Sequence, residues 1–391
     1  MMKGSDMMEY QWMEIQPSAP ITKTSPIEFH ISNTGQFMLD MKKTRIAVKI
    51  KVNNTKLNGP VSSTSVEKYA TPVNLTLQSL FDQVGIYWQN VLVSRTDNYP
   101  YKAMFDVLLN TSREEAESIM GTQLYYTDTE GAMEVIDPFS APVNVGLYER
   151  DARAKNGQII DLVGPLYVDV LHQNNLLPDK VNLRIKLSQT NNDFRLMSNN
   201  TEASLEIIDA KLWVYFAKFK NTIPLPISYN FMQSEMYAHT LSVGNQSLRL
   251  DNIYQGRIPS RIIMALVSTK AMVGDMSKNP FNFQHFNVNY LDVIVNGKSL
   301  PLDRPLEPDF EKGQCSMAYY TLFDNGCPCI ITPKKFQNGY TMYQFFPTTI
   351  KEGGNVRIEL HFAKPLTEAA TLIIYASFPK TYKIDASRSV L

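Results

Sequence analysis

Acid–base, metal and nucleophilic chemistry each need particular residue types at short spacing, and the histidines are the natural place to begin. There are five, His30, His172, His239, His285 and His361, and none lies two or four residues from another. His172 follows an apolar run, and His285 sits among aromatics in FNFQHFNVNY. Each reads as an ordinary hydrogen-bonded or surface histidine. Zinc is usually held by Cys and His in closely spaced pairs. Cys327-Pro-Cys329 has one residue between its sulfurs, and Cys315 stands apart, so the pair reads as a turn after Asp324-Asn325-Gly326. Carboxylates gather at Glu114–Glu115–Glu117, Asp128–Glu130 and Glu307–Asp309. Their helix-start and loop contexts suit solvated faces better than the acid/base pair of a glycosidase. No G-x-S-x-G, G-x-x-x-x-G-K-[ST] or G-x-G-x-x-G occurs. The reading is a non-enzymatic chain with no catalytic, cofactor-binding or metal-ligating residues and no cofactor.

The totals agree with a protein that packs. At 391 residues the chain exceeds the size at which one core stops growing, so two domains are expected. Hydrophobic residues make up 44% and charged residues 19%, with 38 basic side chains against 38 acidic ones. Zero net charge favours association. It also argues against nucleic acid as a specific partner, since phosphate binding needs surplus Lys and Arg, and Lys42–Lys43 and Lys334–Lys335 are too short to be tracts. No apolar run is long enough to cross a membrane. Residues 1–16 carry Asp6, Glu9 and Glu14 and do not read as a secretory signal. Three cysteines make no disulfide framework, which points to a reducing folding compartment. On that view the N-x-S/T triplets at Asn53, Asn74, Asn110, Asn199 and Asn245 are incidental.

The elements that would position any site are strands. In RIAVKIKV, Ile46, Val48, Ile50 and Val52 share one face and Lys49 and Lys51 the other. VNLRIKL at Val181 alternates in the same way. Val84–Trp88 and Val91–Val93 suit a hairpin turned at Gln89–Asn90. Strands are also expected at Leu166–Leu171, Leu205–Ile208, Leu212–Phe219, Tyr237–Val243, Met317–Phe323 and Tyr340–Phe346. Ser112–Met120 is one of few expected helices, with Ser112 as N-cap and Glu115 completing a capping box. Residues 1–18 read as a floppy arm, or one ordered by a partner through Tyr10 and Trp12. Thr127–Gly157, rich in Asp, Gly and Pro, reads as an exposed loop insertion. Asn58–Gly59 marks a turn, and Pro224 and Pro226 place an inter-domain connection within Lys220–Asn230.

The halves repeat one another. RIAVKIKV at Arg45 matches RIIMALVS at Arg261, and DQVGIYWQNVLVS at Asp82 matches NYLDVIVNGKSLP at Asn289. YPYKAMFDVLL at Tyr99 matches CSMAYYTLFD at Cys315, VNLRIKLS at Val181 matches NVRIELHF at Asn355, and LWVYFAKF at Leu212 matches LIIYASFP at Leu372. The order is kept throughout. The offset falls from 216 (261 − 45) to 160 (372 − 212) once the Thr127–Gly157 segment is passed. Two β-domains of about eight strands each follow, the number a jelly roll uses. The aromatics Phe281, Phe283, Phe286, Tyr290, Tyr319, Tyr320, Tyr340, Tyr343, Phe345 and Phe346 are expected mostly in sandwich cores, with any surplus at subunit interfaces.

Several stretches are also similar to a known family. PVNLTLQSLFDQVGIYWQNVLVS with NYPYKAMFDVLLN resembles the hexon-like major capsid proteins of Maverick/Polinton elements and adintovirus-like small DNA viruses. The resemblance runs on through LYYTDTEG, GRIPSRIIMALVSTKAMVG, NPFNFQHFNVNYLDVIVNGKSLPLDRPLEPDF, GYTMYQFFPTTI, GNVRIELHFAKPL and TLIIYASFPKTYKIDASRSVL. Its markers are Phe81, Tyr99, Pro100, Tyr101, Leu108, Leu109, Asn279, Pro280, Phe281, Phe283, Pro308, Asp309, Phe310, Gly339 and Tyr340. It implies an all-β double jelly-roll with few short helices. The expected parts are an arm over 1–18, a first roll over 19–222 with the insertion 127–157, a second roll over 223–382, and an arm over 383–391. It implies a homotrimeric, pseudo-hexagonal capsomer tiling an icosahedral virion shell, beside neighbouring capsomers, penton and minor capsid proteins. It does not address an internal membrane. The chain is compact beside adenovirus hexons, so 127–157 is the segment left for an outer projection. On residue patterns alone, a lectin or adhesin and a glycan-processing enzyme on the same fold stay open.

Overall fold

A computed structural model describes residues 7–33, 37–54, 67–219, 225–324, 326, 328–347 and 353–391. Before residue 220 the strands are β1 (Met7–Ile15), β2 (Ile27–Ile31), β3 (Met38–Asn53), β4 (Ala70–Pro72), β5 (Phe81–Trp88), β6 (Val91–Thr96), β7 (Ile159–Gly164), β8 (Leu183–Gln189), β9 (Leu196–Ser198) and β10 (Ser204–Phe219). After it come β11 (Ile227–Leu241), β12 (Ser247–Leu250), β13 (Arg261–Ser268), β14 (Val288–Val295), β15 (Lys298–Leu300), β16 (Met342–Phe345), β17 (Val356–Phe362) and β18 (Ala370–Ile384). Short helices lie between them: α1 (Thr76–Ser79), α2 (Tyr99–Asn110), α3 (Arg113–Glu117), α4 (Val145–Ala154), α5 (Asn192–Arg195), α6 (Thr269–Val273), α7 (Ser316–Tyr320) and α8 (Pro333–Gln337).

Period-two patterning sets the sheets. On β3, Ile46, Val48, Ile50 and Val52 are buried and Lys49 and Lys51 face away. The first half makes two four-stranded antiparallel sheets, β1-β10-β3-β7 and β2-β8-β5-β6, and a small β4-β9 pair. The second half makes β11-β18-β13-β16 and β12-β17-β14-β15. Position for position the two pairs of sheets correspond. β1 matches β11, β10 matches β18, β3 matches β13 and β7 matches β16. In the other sheets β2 matches β12, β8 matches β17, β5 matches β14 and β6 matches β15.

All five sequence pairings fall on corresponding elements. The residue register does not always follow. Leu212 lies opposite Ile46, and Leu372 opposite Leu266, which shifts that match to 220 (266 − 46) from the 216 read in sequence.

Other expectations change. Tyr99–Asn110 is a helix, and Met317–Phe323, expected as a strand, is α7 followed by a 3-10 turn. The repeat therefore pairs a helix with a helix. Leu166–Leu171 is not a strand but ends in a 3-10 turn at Asp169–Leu171, and the two strands expected over 205–219 are the single β10. Met7–Ile15 is not a loose arm. It adds to the sheet edge through a ladder with β10. At 383–391 the chain folds back, with Lys383 and Leu391 exchanging backbone hydrogen bonds of 2.9 and 2.8 Å. β11 begins directly after Pro226, inside the expected connection. Residues 220–224, the Asn58–Gly59 turn and Cys327 lie outside the described residues. Ser112 does cap α3, with Glu115 reciprocating.

Thr127–Gly157 is not an exposed loop. Asp128, Asn144, Leu147 and Arg150 are buried, and the segment carries the ten-residue α4. An arginine and an aspartate pair inside it, which composition alone reads as surface.

Candidate functional site

The site is the seam between the two halves, and α2 is its centre. Asn98 turns the chain with a left-handed φ of 48°, and Pro100 opens the helix, where a missing N–H costs nothing. Nearly every residue of α2 is then buried, because the first half covers one side and the second half the other. Tyr101 meets Phe281 edge-on at 5.8 Å, and Phe105 meets Phe283 at 5.3 Å. Phe194 closes the cluster against Tyr101 at 5.9 Å. Such rings combine large apolar burial with a modest gain from geometry.

A polar network lies beside these rings. Arg150 donates from Nη2 to Asp128 Oδ1 at 2.8 Å, and both side chains are 0% exposed. Its other donors reach the carbonyls of Pro72 and Tyr126 at 2.9 and 3.2 Å. From the second half, Asn279 Nδ2 donates to Asp128 Oδ2 at 3.2 Å and to the Met133 carbonyl at 3.1 Å. Glu134 accepts from the Asn279 backbone N–H at 3.0 Å and the Asn282 amide at 2.6 Å. A buried ion pair is tolerated when its remaining donors and acceptors are satisfied in this way.

The second polar cluster surrounds Lys102, the residue after Tyr101 in α2. Its ammonium donates to Asp106 and, at 3.0 Å, to Asp169. Asp169 also accepts from the Ser234 backbone N–H at 2.7 Å, and the Ser234 hydroxyl donates to Tyr375 Oη at 2.6 Å. Burial alone would lower the Lys102 pKa, but the two carboxylates outweigh it and hold the amine well above its usual range. Asp106 is pushed up by burial against the pull of Lys102. Burial, and then Lys102, push His172 down, while its ring nitrogen bonds the Leu166 carbonyl at 2.8 Å. A cleft of about 610 Å³ opens here, bordered by Arg261 and Phe346 as well. An amine kept charged by two carboxylates is no nucleophile, so this cluster holds structure. Among the described residues, no group of three His, Cys, Asp or Glu is placed to hold a metal.

Farther along the seam, Trp88 packs edge-on against Tyr229 at 4.7 Å, and Arg388 pairs with Asp179 at 2.6 Å. No protein-family model matches the chain. It is 20% identical to a Caenorhabditis elegans protein, "Uncharacterized protein F54H12.2", over 97% of this chain and 96% of that one. Among solved structures, a chain from the cryo-EM structure of the Sputnik virophage matches with a TM-score of 0.70 at 12% identity, covering 100% of this chain and 89% of that chain. The Faustovirus major capsid protein matches at 0.63 and 8% identity, covering 97% and 91%. The mavirus major capsid protein matches at 0.55 and 11% identity, covering 97% and 89%. The fold is a double jelly-roll.

In this double jelly-roll the sequence markers divide. Tyr101, Phe281, Phe283, Asn279 and Tyr340 meet at the seam, with Pro280 buried beside them. Gly339 sits there with φ 107°, its carbonyl accepting from the Phe283 N–H at 2.8 Å. Tyr99, Pro100, Leu108 and Leu109 belong to α2, and Tyr99 donates to Gln78 Oε1 at 2.6 Å. Phe81 lies in the first roll's core. Pro308, Asp309 and Phe310 lie away from the seam, where Asp309 closes a turn with Lys312 and Phe310 stacks on His285 at 4.3 Å. The sequence reading missed Lys102, Asp106, Asp128, Arg150 and Asp169 as partners. Only Lys102 and Asp106 left a signal, an i,i+4 charge pair within an otherwise apolar run.

Proposed function

We propose that the chain is a major capsid protein, acting without catalysis as a homotrimer that forms a pseudo-hexagonal capsomer of an icosahedral virion shell. The observation that carries this reading is the double jelly-roll covering 100% of the chain in the match to a virophage structure. A seam built from packed rings and satisfied ion pairs supports it, since a shell subunit must hold two rolls rigidly side by side. The collinear motifs from Pro72 to Leu391 support placing it among Maverick/Polinton and adintovirus-like capsid proteins. On this reading the rolls span 19–222 and 223–382, now with β1 added to the first. The family-motif residues serve packing, and the partners are neighbouring capsomers, penton and minor capsid proteins.

The test is size and shape. The purified chain should elute as a trimer by light scattering and show three-fold particles of hexagonal outline by electron microscopy. A chain that stays monomeric at micromolar concentration would sink the proposal.

A further inference from the structure

The seam within one chain has a second, uncovered counterpart on each side of the molecule. Where β11 and β18 meet the first roll, the outer side of their sheet is covered. Ile373 and Tyr375 are 0% and 4% exposed, and Ser234 bonds across to Asp169. By sheet position, β1 and β10 are the same pair in the first roll. Tyr215 of β10 falls where Tyr375 falls in β18, three residues after Leu212 and Leu372 respectively. Tyr10 stacks on Tyr215 at 5.6 Å and Trp12 meets it edge-on at 5.1 Å. In register, Trp12 lies opposite Tyr215 as Met236 lies opposite Tyr375. Tyr10 lies opposite Ala217 as Ser234, which reaches the other roll, lies opposite Ser377. Yet Tyr10 and Trp12 are 60% and 47% exposed.

The receiving side shows the same asymmetry. α2 is buried on both sides because the second roll covers it. Its counterpart α7 leaves Met317 and Tyr320 exposed by 40% and 62%. Large apolar side chains grouped on a surface mark interaction sites. Here each exposed group sits where the other roll shows a covered one.

We infer that the β1 edge, through Tyr10 and Trp12, docks on the α7 side of the second roll of another copy of this chain, repeating between chains the seam found within one. This rests on the capsid reading and names its contact surface. The contact is head-to-tail, since different surfaces meet, and head-to-tail contacts close into rings when the rotation allows. It is also more polar than the internal seam. Opposite Tyr215 and Trp213, β3 presents Asp40 and Arg45, where β13 presents buried Ile263 and Ala265 opposite Tyr375 and Ile373.

The experiment uses the full chain with Trp12→Glu in one preparation and Tyr320→Glu in another, followed by light scattering and analytical ultracentrifugation. Both residues are exposed, so each variant should keep the wild-type circular dichroism and melting temperature. Ile119→Glu, exposed elsewhere on the first roll, is the control and should assemble normally. Each test variant should need at least about tenfold more protein to assemble, as expected for losing an aromatic anchor. Mixed in equal amounts, they should form a species of two chains and stop there, because one intact edge meets one intact α7 side. Wild-type assembly that survives both substitutions overturns the surface alone. Variants that fail singly and also fail to pair when mixed overturn the head-to-tail contact. A wild-type chain that never associates overturns the surface and the capsid reading together.

Discussion

The Tyr340 hydroxyl donates a 2.9 Å hydrogen bond to the backbone carbonyl of Asp128. The two residues are 212 positions apart, one in each roll. The Asp128 carboxylate meanwhile takes Arg150 from its own roll and Asn279 from the other. One aspartate thus ties the first roll to itself and to the second roll through different atoms.

Arg150→Met should therefore be among the most damaging single changes. It leaves a buried carboxylate without its cation, a loss of about 3–5 kcal/mol. Tyr340→Phe keeps the ring and strands only the Asp128 carbonyl, for about 1–3 kcal/mol. Urea denaturation of both variants checks the ranking. A milder effect from Arg150→Met than from Tyr340→Phe would contradict it.

Lys102→Met should cost about 3–5 kcal/mol near neutral pH, because Asp106 and Asp169 then face each other without the ammonium that bonds both, with only the weaker field of Arg261 left. The cost depends on pH in a definite direction. Asp106 already binds its proton more tightly folded than unfolded. Without Lys102 that preference grows, so acid restores stability as the carboxyl is protonated. Denaturation at pH 7.5 and 5 should show the gap between variant and wild type narrowing at the lower pH.

Gly339→Ala tests backbone rather than packing. At φ 107° an L side chain is strained, by about 1–2 kcal/mol. An added Cβ would also overlap Met133 Sδ, but that is the movable end of a flexible side chain. The double change Gly339→Ala with Met133→Ala should accordingly recover little. Thermal unfolding of the three proteins separates the contributions.

Two histidines give the fold an acid limit. Burial lowers the pKa of both His172 and His285 from the ordinary 6.5. Each binds its proton more weakly folded than unfolded. Their contribution is complete above pH 6.5 and declines as pH falls below it, by at most about 1.4 kcal/mol per pH unit for each. His172→Gln keeps a donor for the Leu166 carbonyl without the titration. Its melting temperature should drop less than the wild type's between pH 7.5 and 5.5.

What was legible in the sequence was what one buried face writes into a strand. Val48 and Ile50 between Lys49 and Lys51 declare both the strand and its orientation. The ordered repeat put corresponding elements together even where their type was wrong. α2 escaped because a helix covered on nearly every side keeps only a thin polar line, Lys102, Asp106 and Asn110, too narrow to set a helical period against its apolar residues. β1 escaped for the opposite reason. An edge strand whose Met8, Tyr10, Trp12 and Met13 are all exposed carries no alternation. The Arg150–Asp128 pair left no trace, since nothing local separates a buried ion pair from a solvated one. The seam contacts of Asp128 with Asn279 and Tyr340 join positions too distant for any local pattern to register.

The Asp128–Tyr340 bond also sets a timetable for synthesis. At ribosomal rates of 5–20 residues per second, a 212-residue separation means roughly 10–40 s between the emergence of the two partners. For about the first 150 residues of that interval (281 − 128 = 153) the nascent first roll presents Tyr101 and Phe105 with Phe281 and Phe283 still unmade. The seam that joins the two rolls of the finished chain is thus, while the chain is growing, its stickiest surface, and the period in which a folding helper has most to shield ends when the last seam strand leaves the exit tunnel.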